Sequence, residues 1–251
     1  MVTLKSPTEI ERIRTSGRVV AEVLDALDDR IRPGVTTAEL DAAAEEIIRA
    51  HSGASPSFKG YGGFPASICA SVNEEVVHGI PSEDRALAEG DIIGVDVGVF
   101  LEGYHADAAR TYAVGAQDEE TIRLLDATRA ALEAGIAAAK PGGRLGDVSA
   151  AIQGAVESAG FAVVRDLVGH GIGQRLHEDP QVPNFGEAGR GLKLEAGLTL
   201  AIEPMVNTGD RRVKTLEDAW TIVTVDGGRS AHFEHTVAIT ENGPEILTRA
   251  A

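Results

Sequence analysis

The segment LAEGDIIGVDVGV, residues 87–99, decides how the rest of the chain is read. Alternation places Ile93, Val95, Val97 and Val99 on one face of a strand and Gly94, Asp96 and Gly98 on the other. A carboxylate therefore sits in an apolar strand between two residues that have no side chain, as if something needed the room. The texture returns in LEAGLTLAIEPMV, residues 194–206, at an offset of 107, with Leu87 on Leu194, Gly90 on Gly197 and Asp96 on Glu203. A second overlap lays RPGVTTAELDAAAEEII (32–48) over KPGGRLGDVSAAIQGAV (140–156) at an offset of 108. Two overlaps at nearly one spacing mark an internal repeat. They predict a mixed α/β (α+β) chain of two related halves, approximately 1–112 and 113–251, joined as one domain over 1–251 with pseudo-twofold symmetry. No Ser-, Pro- or charge-rich linker separates the halves, and a site is expected where they meet.

The helices around these strands are also legible. Ser6-Pro7-Thr8-Glu9 has the pattern of a capping box with proline at the first helical position, followed by a stripe of Ile10, Ile13, Val20, Leu24 and Leu27. Arg32-Pro33-Gly34 ends that helix, and Thr36 with Glu39 opens another carrying Leu40, Ala43, Ile47 and Ile48. Glycine-rich loops and short strands follow from about residue 52. Helical spacing resumes near residue 118 through Leu124, Leu125 and Leu132, and again through Val148, Ile152 and Val156.

Composition narrows the function. A net charge of −16, from 39 acidic against 23 basic residues, argues against a phosphate-binding surface, so nucleic acid is not expected as a direct partner. The single cysteine, Cys69, allows no internal disulfide and fits a reducing compartment. The charged N-terminal stretch has no signal-peptide pattern and no run is long enough to span a bilayer, so a cytoplasmic protein without membrane contact is expected.

Four acids lie in apolar strands: Asp96, then Asp107 on the strand returning from a hairpin turn at Leu101-Glu102-Gly103, and in the second half Glu203 and Glu234. Any one of them could cap a helix or pair with an arginine, and Arg110 and Arg212 are available for some. All four together are harder to place, because buried like charges resist ionisation unless a cation or proton intervenes. Two divalent cations would balance their charge of −4. Oxygen donors with an imidazole suit Mn, Fe, Co, Ni or Zn, whereas zinc-finger spacing and H-E-x-x-H are both missing. Such a pair activates a shared water for hydrolysis. The stretch GHGIGQRLHEDP, 169–180, offers two imidazoles, His170 and His177, and does not by itself say which one is a ligand.

With NEEVVHGIP (73–81), DVGVFLEGYHADAART (96–111), AIEPMVN (201–207) and FEHT (233–236), these motifs resemble the type I methionine aminopeptidases over about residues 4–249. The resemblance implies the pita-bread fold, a curved antiparallel sheet covered by helices. It implies Asp96, Asp107, His170, Glu203 and Glu234 as ligands of two divalent ions, with Asp107 and Glu234 bridging and a hydroxide held between the ions as nucleophile. His177 and His78 are then substrate-contacting catalytic imidazoles, and Glu203 is also a proton relay. Tyr61, Cys69 and Trp220, with Phe64, Phe58 and Leu176 beside them, line the methionine pocket, although Trp220 serves equally well as a core aromatic. The implied activity is release of N-terminal methionine from nascent proteins and peptides with a small second residue, by a monomer that meets its substrates at the ribosome. An enzyme of the Xaa-Pro aminopeptidase or prolidase kind, or a metal-free peptide-binding module on the same fold, are the other readings.

Overall fold

The structure, a computed structural model, describes residues 2–249. Helix α1 (Pro7–Asp28) begins where expected: the Ser6 hydroxyl accepts from the Glu9 N–H at 3.4 Å and the Glu9 carboxylate accepts from the Ser6 N–H at 2.8 Å. Helix α2 (Thr37–Ala50) repeats the device with Thr36 and Glu39 at 3.2 and 2.7 Å. These reciprocal bonds satisfy donors that the first turn leaves unpaired. In the second half, α3 (Glu119–Ala138) is capped by Asp118, and α4 (Leu145–Ser158) starts at Arg144, whose N–H donates to Asp147 at 2.7 Å. The paired lengths, 22 and 14 residues against 20 and 14, follow the repeat.

Short strands β1 (Ser55–Pro56), β2 (Ile68–Val72) and β3 (Glu75–Val77) precede the long hairpin β4 (Ile92–Leu101) and β5 (Tyr104–Ala113). Its turn places Glu102 and Gly103 at φ 53° and 87°, the backbone that a two-residue hairpin requires. The second half supplies β6 (Ala162–Val163), β7 (Val168–Gly171), β8 (Glu178–Pro183), β9 (Thr199–Ile202), β10 (Met205–Asn207), β11 (Val213–Thr215), β12 (Ile222–Thr224), β13 (Ser230–His232), β14 (His235–Thr240) and β15 (Gly243–Ile246). All pairings between these strands are antiparallel. The central strands have comparable neighbours: β4 runs between β2 and β5, and β9 runs between β7 and β14. Strand β9 begins 107 residues after β4, the offset of the sequence repeat.

Alternation in β4 holds as read. Ile93, Val95, Val97 and Val99 are fully buried against α1 and α2 in one core, while α3 and α4 cover a second core built on Leu200, Ile202, Val237 and Ile239. The second-half acids lie at breaks just outside the strands the sequence placed them in. Glu203 falls between β9 and β10, and Glu234 between β13 and β14. The flanking registers, Ile202 opposite His235 and Met205 opposite His232, put the two glutamates across from one another. Pro204 has no N–H to contribute there, so the ladder opens at that point.

The two halves are joined by hydroxyls as well as by backbone. Thr111 of β5 accepts from the His232 N–H at 2.9 Å and donates to the His232 carbonyl at 2.8 Å. Thr236 treats Asp107 the same way, at 3.0 and 2.7 Å, and the Glu234 N–H donates to the Ala109 carbonyl at 2.9 Å between them. These bonds tie the sheet that contains β5 to β13 and β14 of the neighbouring sheets.

The glycines flanking His170 have a steric cause. A Cβ on Gly169 would lie 2.3 Å from the Ala201 carbonyl oxygen, and one on Gly171 2.2 Å from that of Asp179. Gly154, on the exposed face of α4, has nothing within 4 Å. Gly169→Ala is therefore expected to cost about 1–3 kcal/mol of unfolding free energy, while Gly154→Ala gains up to ~1 kcal/mol. Denaturant unfolding of both variants checks this, and equal effects would contradict the packing described.

Candidate metal centre and substrate pocket

The four acids converge. Asp107 and Glu234 are each 3% exposed, and donor atoms of Asp107, His170 and Glu234 lie within 4.8 Å of one another. His170 Nε2 stands 3.5 Å from Asp107 Oδ2 and 3.6 Å from Glu203 Oε1. Its Nδ1 lies 2.8 Å from the Gly171 carbonyl, which only accepts, so Nδ1 carries the proton and Nε2 turns its lone pair inward. Asn184 donates to the Glu203 carbonyl at 2.9 Å and holds that strand end in place. The Thr236 hydroxyl lies 3.0 Å from Asp107 Oδ1.

No lysine or arginine forms an ion pair with these acids among the described residues. Arg110 pairs with Asp25 at 3.0 Å and Arg212 with Asp210 at 2.7 Å, so neither arginine fills the role left open for it in the sequence. Burial raises all four carboxyls. Asp107 rises to about 6, and Asp96, Glu203 and Glu234 rise well above the carboxylate range, each pushed further by its acidic neighbours. Asp96 Oδ1 is buried without a hydrogen-bond partner. An orphaned acceptor among repelling carboxyls and an inward imidazole lone pair is a donor set suited to a hard or borderline divalent cation.

Around this cluster lies a cavity of about 140 Å3. Its wall brings together the residues singled out in the sequence for substrate: Tyr61, Phe64, Cys69, His78, His177 and Trp220, with Phe58 and Leu176. The space beside Gly98 is taken by Phe58 and Ser57, since a Cβ there would come within 2.8 Å of both. Trp220 stands on the cavity wall, edge-on to Phe64 at 5.2 Å and to His78 at 6.4 Å. Burial raises the Cys69 thiol well above its usual value, so it presents a protonated, apolar surface.

The two other imidazoles face the cavity. His177 Nδ1 meets the Tyr61 hydroxyl at 2.8 Å, and its ring lies 4.2 Å from that of His170. Burial and His170 lower it to about 4, so it is neutral at physiological pH. Its loop is tied down by Glu178, which pairs with the buried Lys5 at 2.6 Å, and by Gln174, which donates to the Tyr104 hydroxyl at 3.1 Å. His78 has φ 60°, a conformation rare for a residue with a Cβ, and burial lowers its pKa as well.

One residue escaped the sequence reading. His232, with its ring 4% exposed, places Nε2 3.9 Å from Oε2 of both Glu203 and Glu234. The histidine in SAHFEHT stands two residues before Glu234 in an apolar strand, where alternation puts both on one face. That was the available signal.

A buried centre of acids and an imidazole beside an apolar cavity is a metallopeptidase-like site, and comparison with known proteins gives the class. A profile of metallopeptidase family M24 matches residues 11–241. The chain is 56% identical over 248 residues to a methionine aminopeptidase of Clostridium acetobutylicum, covering 99% of each. The crystal structure of methionine aminopeptidase from Thermotoga maritima superimposes with a TM-score of 0.97 at 53% identity, over 99% of this chain and 100% of that one. A prolidase from Pyrococcus furiosus, at 23% identity and a TM-score of 0.79 over 99% of this chain and 66% of that one, shares the fold alone. The chain belongs to metallopeptidase family M24 and, within it, to the methionine aminopeptidases. It is a metallo-exopeptidase that removes N-terminal methionine, and the prolidase reading is not favoured.

The raised carboxyls set a pH dependence. Asp107 holds its proton to about pH 6 when folded, against about 4 when unfolded. The folded state then binds more protons in that window, so the metal-free protein loses stability as pH rises through it. A cation that replaces those protons stabilises more as pH rises. The increase in Tm on adding manganese is expected to be larger at about pH 7.5 than at about pH 5.5. Thermal melts with and without the ion decide, and an equal or smaller increase at the higher pH would contradict the cluster's role.

Proposed function

We propose that Asp96, Asp107, His170, Glu203 and Glu234 would hold two divalent ions, drawn from Mn, Fe, Co, Ni or Zn. The observation that carries this is the convergence of the four raised carboxyls, Asp96 Oδ1 orphaned among them, on the inward lone pair of His170. When bound, such ions act as Lewis acids that polarise the scissile carbonyl and lower the pKa of water.

The chain's own residues supply the rest. If Tyr61 donates its hydroxyl proton to His177 Nδ1, Nε2 keeps its hydrogen and is aimed to donate to the substrate carbonyl as charge develops there. His78, edge-on to Trp220 on the cavity wall, is assigned to contact the substrate near the scissile amide. Glu203 would take a proton from the attacking water and pass it to the leaving nitrogen. Phe58, Phe64, Leu176, Trp220 and the Cys69 thiol enclose the methionine thioether, and Tyr61, 46% exposed, stands at the rim. A preference for a small second residue belongs to this reading. We take the catalytic unit to be one domain over 1–251 with halves 1–112 and 113–251. It acts as a monomer in the cytoplasm on nascent chains and peptides, near the ribosome.

Dialysis against a chelator, restoration of Co or Mn, and assay of free methionine from Met-Gly-type and Xaa-Pro peptides test this reading. Release from the Met series, falling as the second residue grows from Gly to Leu, is expected; a flat series or activity on Xaa-Pro alone would contradict it. His170→Ala is expected to lose metal and turnover together, and His177→Ala to keep metal while losing about 10²–10³ in kcat. Elemental analysis of the two variants separates the roles, and equal metal loss would refute them.

A further inference from the structure

The cation site draws a second imidazole into its surroundings. His232 Nε2 is buried with no hydrogen-bond partner, yet it is equidistant, at 3.9 Å, from Oε2 of Glu203 and Oε2 of Glu234. The ring's placement is built rather than incidental. Its backbone is gripped on one side by Thr111, which bonds both its N–H and its carbonyl, and on the other by pairing with Met205. Thr111 stands on β5, four residues beyond Asp107, so one strand carries a carboxylate of the cluster and the hydroxyl that anchors this histidine. A side chain needed only to fill space at that position would be apolar, because a buried polar nitrogen without a partner is destabilising.

We propose that His232 is a positioning residue for the acid cluster: its Nε2–H donates to Glu203 and Glu234 and fixes which of their oxygens face the cation. The inference rests on the ligand roles proposed above for those two glutamates. Ionised carboxylates only accept hydrogen bonds, so the nitrogen turned toward them must carry the proton. The gap from 3.9 Å to an N–H···O bond of about 2.9 Å is one a small carboxylate movement closes. With one oxygen of each glutamate held by the imidazole, the other is directed inward. Hydrogen-bonded partners of ligating carboxylates tune metal affinity in this way.

The test uses two variants. His232→Leu removes the donor and keeps an apolar side chain, whereas His232→Gln keeps an N–H donor at similar reach. Cobalt affinity of the chelated full-length protein is measured by calorimetry, with the visible absorption of the cobalt form and the Tm of the metal-free form alongside. His232→Leu is expected to bind cobalt about 10–100-fold more weakly, with an altered spectrum, while its metal-free Tm is unchanged or higher because an unpartnered buried nitrogen is gone. His232→Gln is expected to stay near the parent in affinity. Unchanged cobalt affinity in His232→Leu would overturn the proposal, as would an increase confined to KM, which would assign the ring to the substrate. Equal loss in both variants would overturn it too, since it would make the imidazole itself a ligand. Glu203→Gln is the control for the underlying assignment: parent-like cobalt binding in that variant would remove the ligand role, and the proposal with it.

Discussion

Mutual repulsion among four buried carboxyls is the constraint on which this structure turns. Asp96, Asp107, Glu203 and Glu234 occupy one low-dielectric pocket, and among the described residues the basic groups nearest them are imidazoles rather than lysine or arginine. Charges in that setting are tolerated only with protons or cations among them. A chain that retained them for packing alone would gain by replacing them with apolar side chains. Their convergence is the reason the two halves must meet closely, and the threonine and backbone bonds along β5 are the means.

The remaining architecture divides labour around that centre. The first half contributes a continuous hairpin, so Asp96 and Asp107 are set by regular alternation and register. The second half contributes a bent ladder, with Glu203 and Glu234 facing each other where Pro204 interrupts pairing. Cys69, opposite Asp96 in the ladder of β2 with β4, begins the apolar wall directly beside the acids. Substrate side chain and reacting amide are thereby held on adjacent surfaces of one small cavity. The loop bearing His177 is anchored outside the cavity by Lys5 and Tyr104, residues that touch no part of the reaction.

Much of this was legible in the sequence because it depends on short-range rules. Capping boxes at Ser6 and Thr36, alternation through β4 and the turn at Glu102-Gly103 are local, and each forms as read. The repeat offset carried the long-range information, since it paired Asp96 with Glu203 without any knowledge of contacts. What stayed hidden depends on partners distant in the chain. The opening of the ladder at Glu203 and Glu234 needs both strands to be seen together. Arg110 pairs with Asp25, 85 residues away, rather than with the cluster, while Arg212 has a local partner in Asp210. Trp220 read equally as core or pocket, because its position depends on Phe64 and His78, more than a hundred residues earlier. His232 stands immediately before the FEHT motif, but only the facing glutamates reveal where its ring points.

The central claim is that the four carboxyls and His170 exist to hold cations. Anomalous diffraction from crystals grown with manganese tests it most directly. Two peaks about 3.5–4 Å apart, each within bonding distance of those side chains, are the expected result. An empty cavity in such crystals, with the five side chains paired to other protein groups, would contradict it.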